Sequence, residues 1–158
     1  MSSPQENYFM STALAVYGDL TVFSCQYRLG PETKVPGGIL DAYAAVNYIT
    51  ENAASFNIDP SRIAIWGNSG GGFIASGCSY ELVKNNKEDL IKIVYLDVPN
   101  FFGDFWWNDQ FDFNEIERNL RPRQLGCFKL LTGLDSKDPD NPYHFTPSMG
   151  EHLLSKLP

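Results

Sequence analysis

The sequence predicts an α/β fold in which a mostly parallel sheet is flanked by helices. Apolar runs of strand length alternate with segments of helical periodicity, and this order is typical of parallel strands joined by crossover helices. The apolar run at residues 91–98 is almost continuous, as expected of a strand that is covered on both faces. A chain of 158 residues is also long enough for one domain with a sizeable core.

The elements are placed by their periodicity and by glycine and proline. Strands are indicated by runs of Val, Ile, Phe and Tyr, and helices by apolar residues that recur every three or four positions. Loops are indicated by clusters of Gly and Pro. The expected elements are, in order, a helix over residues 6–17, a strand over 20–27, a loop over 30–38, an amphipathic helix over 39–56, a strand over 62–66, a helix over 71–85 and a third strand over 91–98.

The most informative segment is Gly-Asn-Ser-Gly-Gly at residues 67–71, between the second strand and the helix that follows it. A G-x-S-x-G sequence in a strand–turn–helix context is the pattern of a serine nucleophile on a sharp turn. We expect Ser69 to have a strained backbone with its Oγ directed into a cleft, and a side chain at position 67 or 71 to collide with neighbouring backbone. The N–H of Gly70, at the start of the helix, is the candidate donor to an oxyanion.

Other interpretations of these glycines are weaker. A phosphate-binding loop ends in Lys followed by Ser or Thr, whereas Phe73 and Ile74 stand there. A plain Gly/Ser-rich loop would not require a strand before it and a helix after it. The pattern therefore favours a nucleophile.

Three further segments accompany residues 67–71 in a fixed order. They are Tyr-Arg-Leu-Gly-Pro-Glu at 27–32, Asp-Ala-Tyr at 41–43 and Ile-Asp-Pro-Ser-Arg-Ile at 58–63. As a set they resemble the hormone-sensitive-lipase-like esterases, the α/β hydrolase fold-3 group, over about residues 20–80. The resemblance implies a partial α/β-hydrolase fold and a serine carboxylesterase or lipase-like hydrolase with Ser69 as nucleophile. It also implies an ester substrate and no cofactor or metal, and the aromatic-rich segment described below suits small apolar acyl groups.

The resemblance also implies parts that these residues do not contain. Such enzymes use Ser, Asp and His in that chain order, and they have a His-Gly-Gly-Gly oxyanion segment before the Tyr-Arg-Leu strand. No histidine precedes His144, and no Gly-Gly-Gly precedes Ser69. Neither His144 nor His152 follows a strand that carries an acid, so we expect neither to be the base. The catalytic Asp and His and the oxyanion segment are therefore expected outside this chain, which would be a truncated middle portion forming a single partial domain over residues 1–158.

Three residues depart from the pattern that the resemblance implies. Gln26 replaces an Asp, which leaves open whether the site is competent, and Asn68 and Gly70 replace the commoner Asp and Ala around the serine. Asp97, at the carboxyl end of the third strand, stands where site residues of parallel sheets are found. Capping or loop anchoring would explain Asp97 equally well.

An aromatic-rich segment follows the third strand. By resemblance, residues 99–147 would be a cap-like insertion that contributes to the acyl pocket, above a core of about residues 20–98. The same rings could instead cover the sheet edge and one another, and both interpretations stay open. The candidate substrate-binding residues are Phe101, Phe102, Trp106 and Trp107.

Composition limits the partners and the compartment. The net charge is −7 and there is no basic cluster, which argues against nucleic acid and anionic membrane. No apolar run reaches membrane-spanning length. The three cysteines, Cys25, Cys78 and Cys127, lie singly in apolar surroundings. They are expected to be buried thiols in a reducing compartment, and the expected localisation is cytoplasmic.

A second class of function stays open. The chain could be a catalytically inactive hydrolase fold with a binding or structural role in a larger assembly, because one fold hosts many functions. A partner chain would then cover the exposed edges of the sheet.

Overall fold

The computed structural model describes residues 7–99 continuously, together with residues 126, 129, 130, 133, 143, 155 and 156. Within residues 7–99, three α-helices and two β-strands follow one another as helix, helix, strand, helix and strand, without the strand expected over residues 20–27. The elements are helix α1 (Tyr8–Gly18), helix α2 (Gly37–Glu51), strand β1 (Ala64–Asn68), helix α3 (Gly70–Lys84) and strand β2 (Ile93–Asp97). Short 3₁₀ turns at Ala53–Phe56, Pro60–Arg62 and Glu88–Leu90 connect them.

The two strands pair in parallel, and α3 is the crossover between them. Ala64 lies opposite Ile93 and Asn68 lies opposite Asp97. Because side chains alternate across a strand, Ile65 and Val94 share one face of the pair, and they pack against the core. The other face carries Ile93 and Tyr95, which are 58% and 61% exposed. The register therefore aligns the carboxyl ends of both strands at one edge.

The core lies between α2, α3 and the inner face of the sheet. Its buried centre is formed by Val46, Cys78, Leu82 and Ile91. Helices α2 and α3 approach closely where Ile39 meets Gly77, and a Cβ on Gly77 would lie 2.4 Å from Ile39 Cδ1. This close approach fixes α3, and with it the helix N-terminus that follows β1.

Helix ends are set by local residues. Asn57 adopts a left-handed conformation with φ of 53°, and this residue ends the 3₁₀ turn after α2. At the other end of the core, Asn85 follows α3 and its Nδ2 donates to the carbonyl of Glu81 at 2.7 Å. Lys84 in the last turn of α3 complements the negative end of the helix dipole.

The strand predicted over residues 20–27 is wrong. Residues 20–29 form no regular element, because a strand needs a neighbour to share its backbone hydrogen bonds and β1 and β2 pair only with each other among the described residues. The segment is instead tied to α2 by Arg28, whose Nε lies 2.9 Å from Asp41 Oδ2. The hydrogen bonds from Arg28 hold the pKa of the Asp41 carboxyl below its usual value.

The prediction of buried cysteines is half right. Cys78 is a buried free thiol, but Cys25, in the segment without regular structure, is a free thiol that is exposed. Cys127 lies outside the described residues. No helix among the residues that the structure describes has both the length and the apolar character needed to cross a membrane.

Candidate active site

Ser69 lies between the last residue of β1 and the first residue of α3. Its φ and ψ are 50° and −118°, which is a strained region for a residue with a side chain. Ser69 is exposed. The prediction that this serine occupies a strained strand-to-helix turn is confirmed, and a strained turn of this kind is where nucleophiles are displayed at the end of a parallel sheet.

The turn requires glycine at position 67. A Cβ there would lie 2.2 Å from the carbonyl oxygen of Gly71 and 2.8 Å from the backbone nitrogen of Gly72. The predicted collision at position 67 is therefore confirmed. The turn has no room for a methyl group between the end of β1 and the first turn of α3.

The predicted collision at position 71 is wrong. A Cβ on Gly71 meets no described atom within 4 Å, so there is open space for it among the described residues. The second close approach is at Gly72, where a Cβ would lie 2.8 Å from Pro99 Cβ. Sequence reasoning missed this contact, since Pro99 reaches the turn from the far end of β2.

Asp97, the last residue of β2, contacts the turn twice. Its carbonyl oxygen accepts the Ser69 N–H at 2.9 Å, and its Oδ2 accepts a hydrogen bond from Asn68 Nδ2 at 2.7 Å. The next residue, Val98, has φ of 43°, which is rare for a β-branched side chain. The sequence placed Asp97 at this edge, but the pairing with Asn68 depends on the strand register and was missed.

The N-terminus of α3 supplies the electrostatics of the site. The N–H groups of Gly72 and Phe73 donate to the Ser69 carbonyl at 3.0 and 3.3 Å. Gly70 is the first helical residue, and the first N–H groups of a helix have no acceptor within the helix. They form the positive end of the helix dipole, which favours negative charge developing beside Ser69. The predicted place of Gly70 at the start of the helix is thus observed.

The remaining candidates lie outside the described residues. These are the aromatic residues Phe101, Phe102, Trp106 and Trp107, and the two histidines, His144 and His152. The described residues of the site are therefore Gly67 to Gly72 and the turn from Asp97 to Pro99.

Residues 1–158 match the alpha/beta hydrolase fold family, and the match spans the whole chain. The chain belongs to this family. Two of the proteins that it resembles in sequence are esterases. The chain is 33% identical over 146 residues to an arylesterase of Saccharolobus solfataricus, covering 89% of this chain and 44% of that protein. It is 46% identical over 67 residues to the carboxylesterase NlhH of Mycobacterium tuberculosis, covering 42% of this chain and 21% of that protein.

Solved structures agree on the fold. A bacterial heroin esterase is 27% identical, with a TM-score of 0.73 over 95% of this chain and 48% of that one. Carboxyl esterase 2 of Tuber melanosporum, at 21% identity, shows the fold alone, with a TM-score of 0.78 over 100% of this chain and 52% of that one. The chain thus spans about half the length of these esterases. The α/β-hydrolase fold predicted from the sequence is confirmed.

Proposed function

We propose that this chain supplies the nucleophile of a serine carboxylesterase that hydrolyses small apolar esters, with Ser69 as the nucleophile. The observation that carries the proposal is the positive φ of Ser69 between β1 and the N-terminus of α3. Strain of this kind persists only where the surrounding structure enforces it, and here Gly67 and Asp97 do so. The esterase relatives favour this function over an inactive subunit.

In the proposed reaction, Ser69 Oγ attacks the ester carbonyl while a histidine takes its proton. The Gly70 N–H donates to the oxyanion of the tetrahedral intermediate, helped by the positive end of the α3 dipole. The catalytic Asp and His and the second set of oxyanion donors come from outside these 158 residues. Each group in this scheme belongs to protein, so the scheme uses no cofactor.

The substrate class rests on the aromatic segment. We propose that Phe101, Phe102, Trp106 and Trp107 form an apolar wall for the acyl group, within a cap-like insertion over residues 99–147. Rings of this kind favour apolar acyl chains through burial of their faces. The similarity to an arylesterase and to a heroin esterase supports ester substrates in general.

The compartment and the partner complete the proposal. Cys25 and Cys78 are both free, which fits a cytoplasmic location. The sheet face that carries Ile93 and Tyr95 is exposed, and we propose that further polypeptide covers it, since the chain spans about half of the similar esterases. A covering segment would protect a face that otherwise favours association.

The experiment compares two proteins, the 158-residue chain and the product of its coding sequence extended in both directions. Each is assayed with a short-chain p-nitrophenyl ester and a fluorophosphonate, beside Ser69→Ala and, as a matched control, Ser55→Ala. We expect the extended product to hydrolyse the ester in a Ser69-dependent way. The 158-residue chain should show no turnover above its Ser69→Ala variant, because losing a triad member costs about 10⁴-fold or more.

Three results would contradict the proposal in whole or in part. Stop codons directly on both sides of the coding sequence would favour the inactive subunit. Ester hydrolysis by the extended product that survives Ser69→Ala would place the nucleophile elsewhere. Clean labelling of Ser69 in the 158-residue chain would instead show that this chain holds its own base.

A further inference from the structure

Asp97 contacts both Asn68 and Ser69. Its carbonyl oxygen receives the Ser69 N–H at 2.9 Å, and its carboxylate receives Asn68 Nδ2 at 2.7 Å. These two contacts come from the backbone and the side chain of one residue. Asp97 therefore links the end of β2 to the turn at two successive positions.

The second contact is a charge-assisted hydrogen bond, which is stronger than one between neutral groups. It acts on the residue just before Ser69, where the chain leaves β1 and turns into the positive φ of 50°. A residue leaves that conformation unless its neighbours enforce it. Fixing position 68 against β2 keeps the two strand ends in register, so that the Ser69 N–H stays opposite its acceptor.

The rest of the β2 turn closes on the same segment. Val98 adopts φ of 43° directly after Asp97, and Pro99 packs against Gly72 in the first turn of α3. Two strained residues, Ser69 and Val98, thus follow the paired strand ends. Strain in both turns is consistent with a rigid arrangement in which each turn holds the other.

We propose that Asp97 is a positioning residue for Ser69, and that the hydrogen bond from Asn68 to its carboxylate holds the strained turn in place. The proposal rests on the proposed function, in which Ser69 is the nucleophile. The role assigned to Asp97 is to hold the turn, not to take part in the reaction. Asp97 acts through Asn68 and through the backbone of Ser69.

The test measures amide hydrogen exchange by NMR in the 158-residue chain, as protection factors corrected for intrinsic rates. The variants are Asp97→Ala, Asp97→Asn, Asn68→Asp and the double variant Asn68→Asp with Asp97→Asn. The matched control is Asp59→Ala, because Asp59 also accepts hydrogen bonds through its carboxylate, from Ser61 N and Oγ at 2.8 and 2.7 Å. Exchange at Leu82, fully buried in α3, reports global unfolding.

We expect Asp97→Ala to lower the protection of the Ser69 amide about tenfold, equivalent to about 1.4 kcal/mol, while Leu82 changes little. Asp97→Asn should change it less, because an amide oxygen still accepts from Asn68. Asn68→Asp should lower protection by placing two carboxylates together. The double variant should restore it, because the amide at position 97 then donates to the carboxylate at position 68. Asp59→Ala should leave Ser69 unchanged.

The proposal is overturned if Asp97→Ala leaves the Ser69 amide unchanged, or if the double variant is no better than Asn68→Asp alone. It is also overturned if Leu82 loses protection as much as Ser69, since that would be global destabilisation. If Asp97→Ala does not fold, the other three variants test the proposal, which then requires the double variant to restore the Ser69 protection that Asn68→Asp loses. No ester enters this experiment, so a failure of the esterase proposal would appear only in the hydrolysis assay.

Discussion

Replacing Gly67 by alanine tests the packing of the turn directly. The new methyl carbon would lie 2.2 Å from the Gly71 carbonyl oxygen, 2.5 Å from its carbonyl carbon and 2.8 Å from Gly72 N. All three are backbone atoms, so no side chain rotates aside to make room. The φ of Gly67 lies outside the left-handed region, so its backbone conformation would accept a side chain. Steric overlap with these backbone atoms is what excludes one.

The size of the effect follows from the overlap. Non-bonded carbon atoms rest about 3.5–4.0 Å apart, so the methyl group would overlap its neighbours by roughly 1 Å or more. Overpacking a close-packed site lowers the free energy of unfolding by about 1–3 kcal/mol. Because the atoms in contact are backbone atoms that cannot move aside, we expect Gly67→Ala to lower it by about 3 kcal/mol. For a chain of this size, that loss lowers Tm by about 6–12 °C.

Gly71→Ala is the matched control. It adds the same methyl group four residues later, where no described atom lies within 4 Å, and it replaces a glycine in the first turn of α3. We expect its free energy of unfolding to stay the same or rise by up to about 1 kcal/mol. Urea unfolding followed by circular dichroism measures both variants. Equal stabilities for Gly67→Ala and Gly71→Ala would refute the steric argument.

Two further predictions concern titrating groups. Burial raises the pKa of the Cys78 thiol to about 12, so little of its thiolate forms at pH 8. We therefore expect iodoacetamide to modify the exposed Cys25 in the folded chain, and to modify Cys78 only after unfolding. Peptide mass mapping checks this, and equal modification of both thiols in the folded chain would contradict it. The hydrogen bonds from Arg28 lower the pKa of Asp41 in the folded protein. The ionised carboxylate therefore stabilises the fold at pH values above its unfolded pKa of about 4. This stabilisation is lost as the pH falls through the folded pKa. Below about pH 4, the free energy of unfolding should therefore fall less steeply with pH in Asp41→Asn than in the unchanged protein. Urea titrations at several pH values measure this. An unchanged pH dependence would refute the prediction.

Periodicity was enough to place most of the described elements. The strands expected over 62–66 and 91–98 are β1 (Ala64–Asn68) and β2 (Ile93–Asp97), and the helix expected over 71–85 is α3 (Gly70–Lys84). These segments carry their structural signal locally, in apolar spacing and in glycine. The strand expected over 20–27 had the same local signal. It failed because pairing depends on a neighbouring strand, which composition does not reveal.

Local sequence signals also predicted part of the site, whereas contacts between distant segments were missed. The strained turn at Ser69 and the need for glycine at position 67 follow from five consecutive residues. The contact of Pro99 with Gly72 and the hydrogen bond from Asn68 to Asp97 join residues 27 and 29 positions apart. Such pairs depend on strand register, and register is set by how a whole face packs against the helices.

That dependence on register has a consequence for laboratory evolution of this fold. Ile65 and Val94 face the core, each three residues before the paired ends at Asn68 and Asp97. A repacked interior that shifted one strand by a single position would move every side chain to the opposite face, and would carry the Asp97 carbonyl away from Ser69. Libraries that randomise the interior should therefore yield variants that remain folded yet no longer hold the turn at Ser69. Screening such libraries for stability alone would enrich these variants.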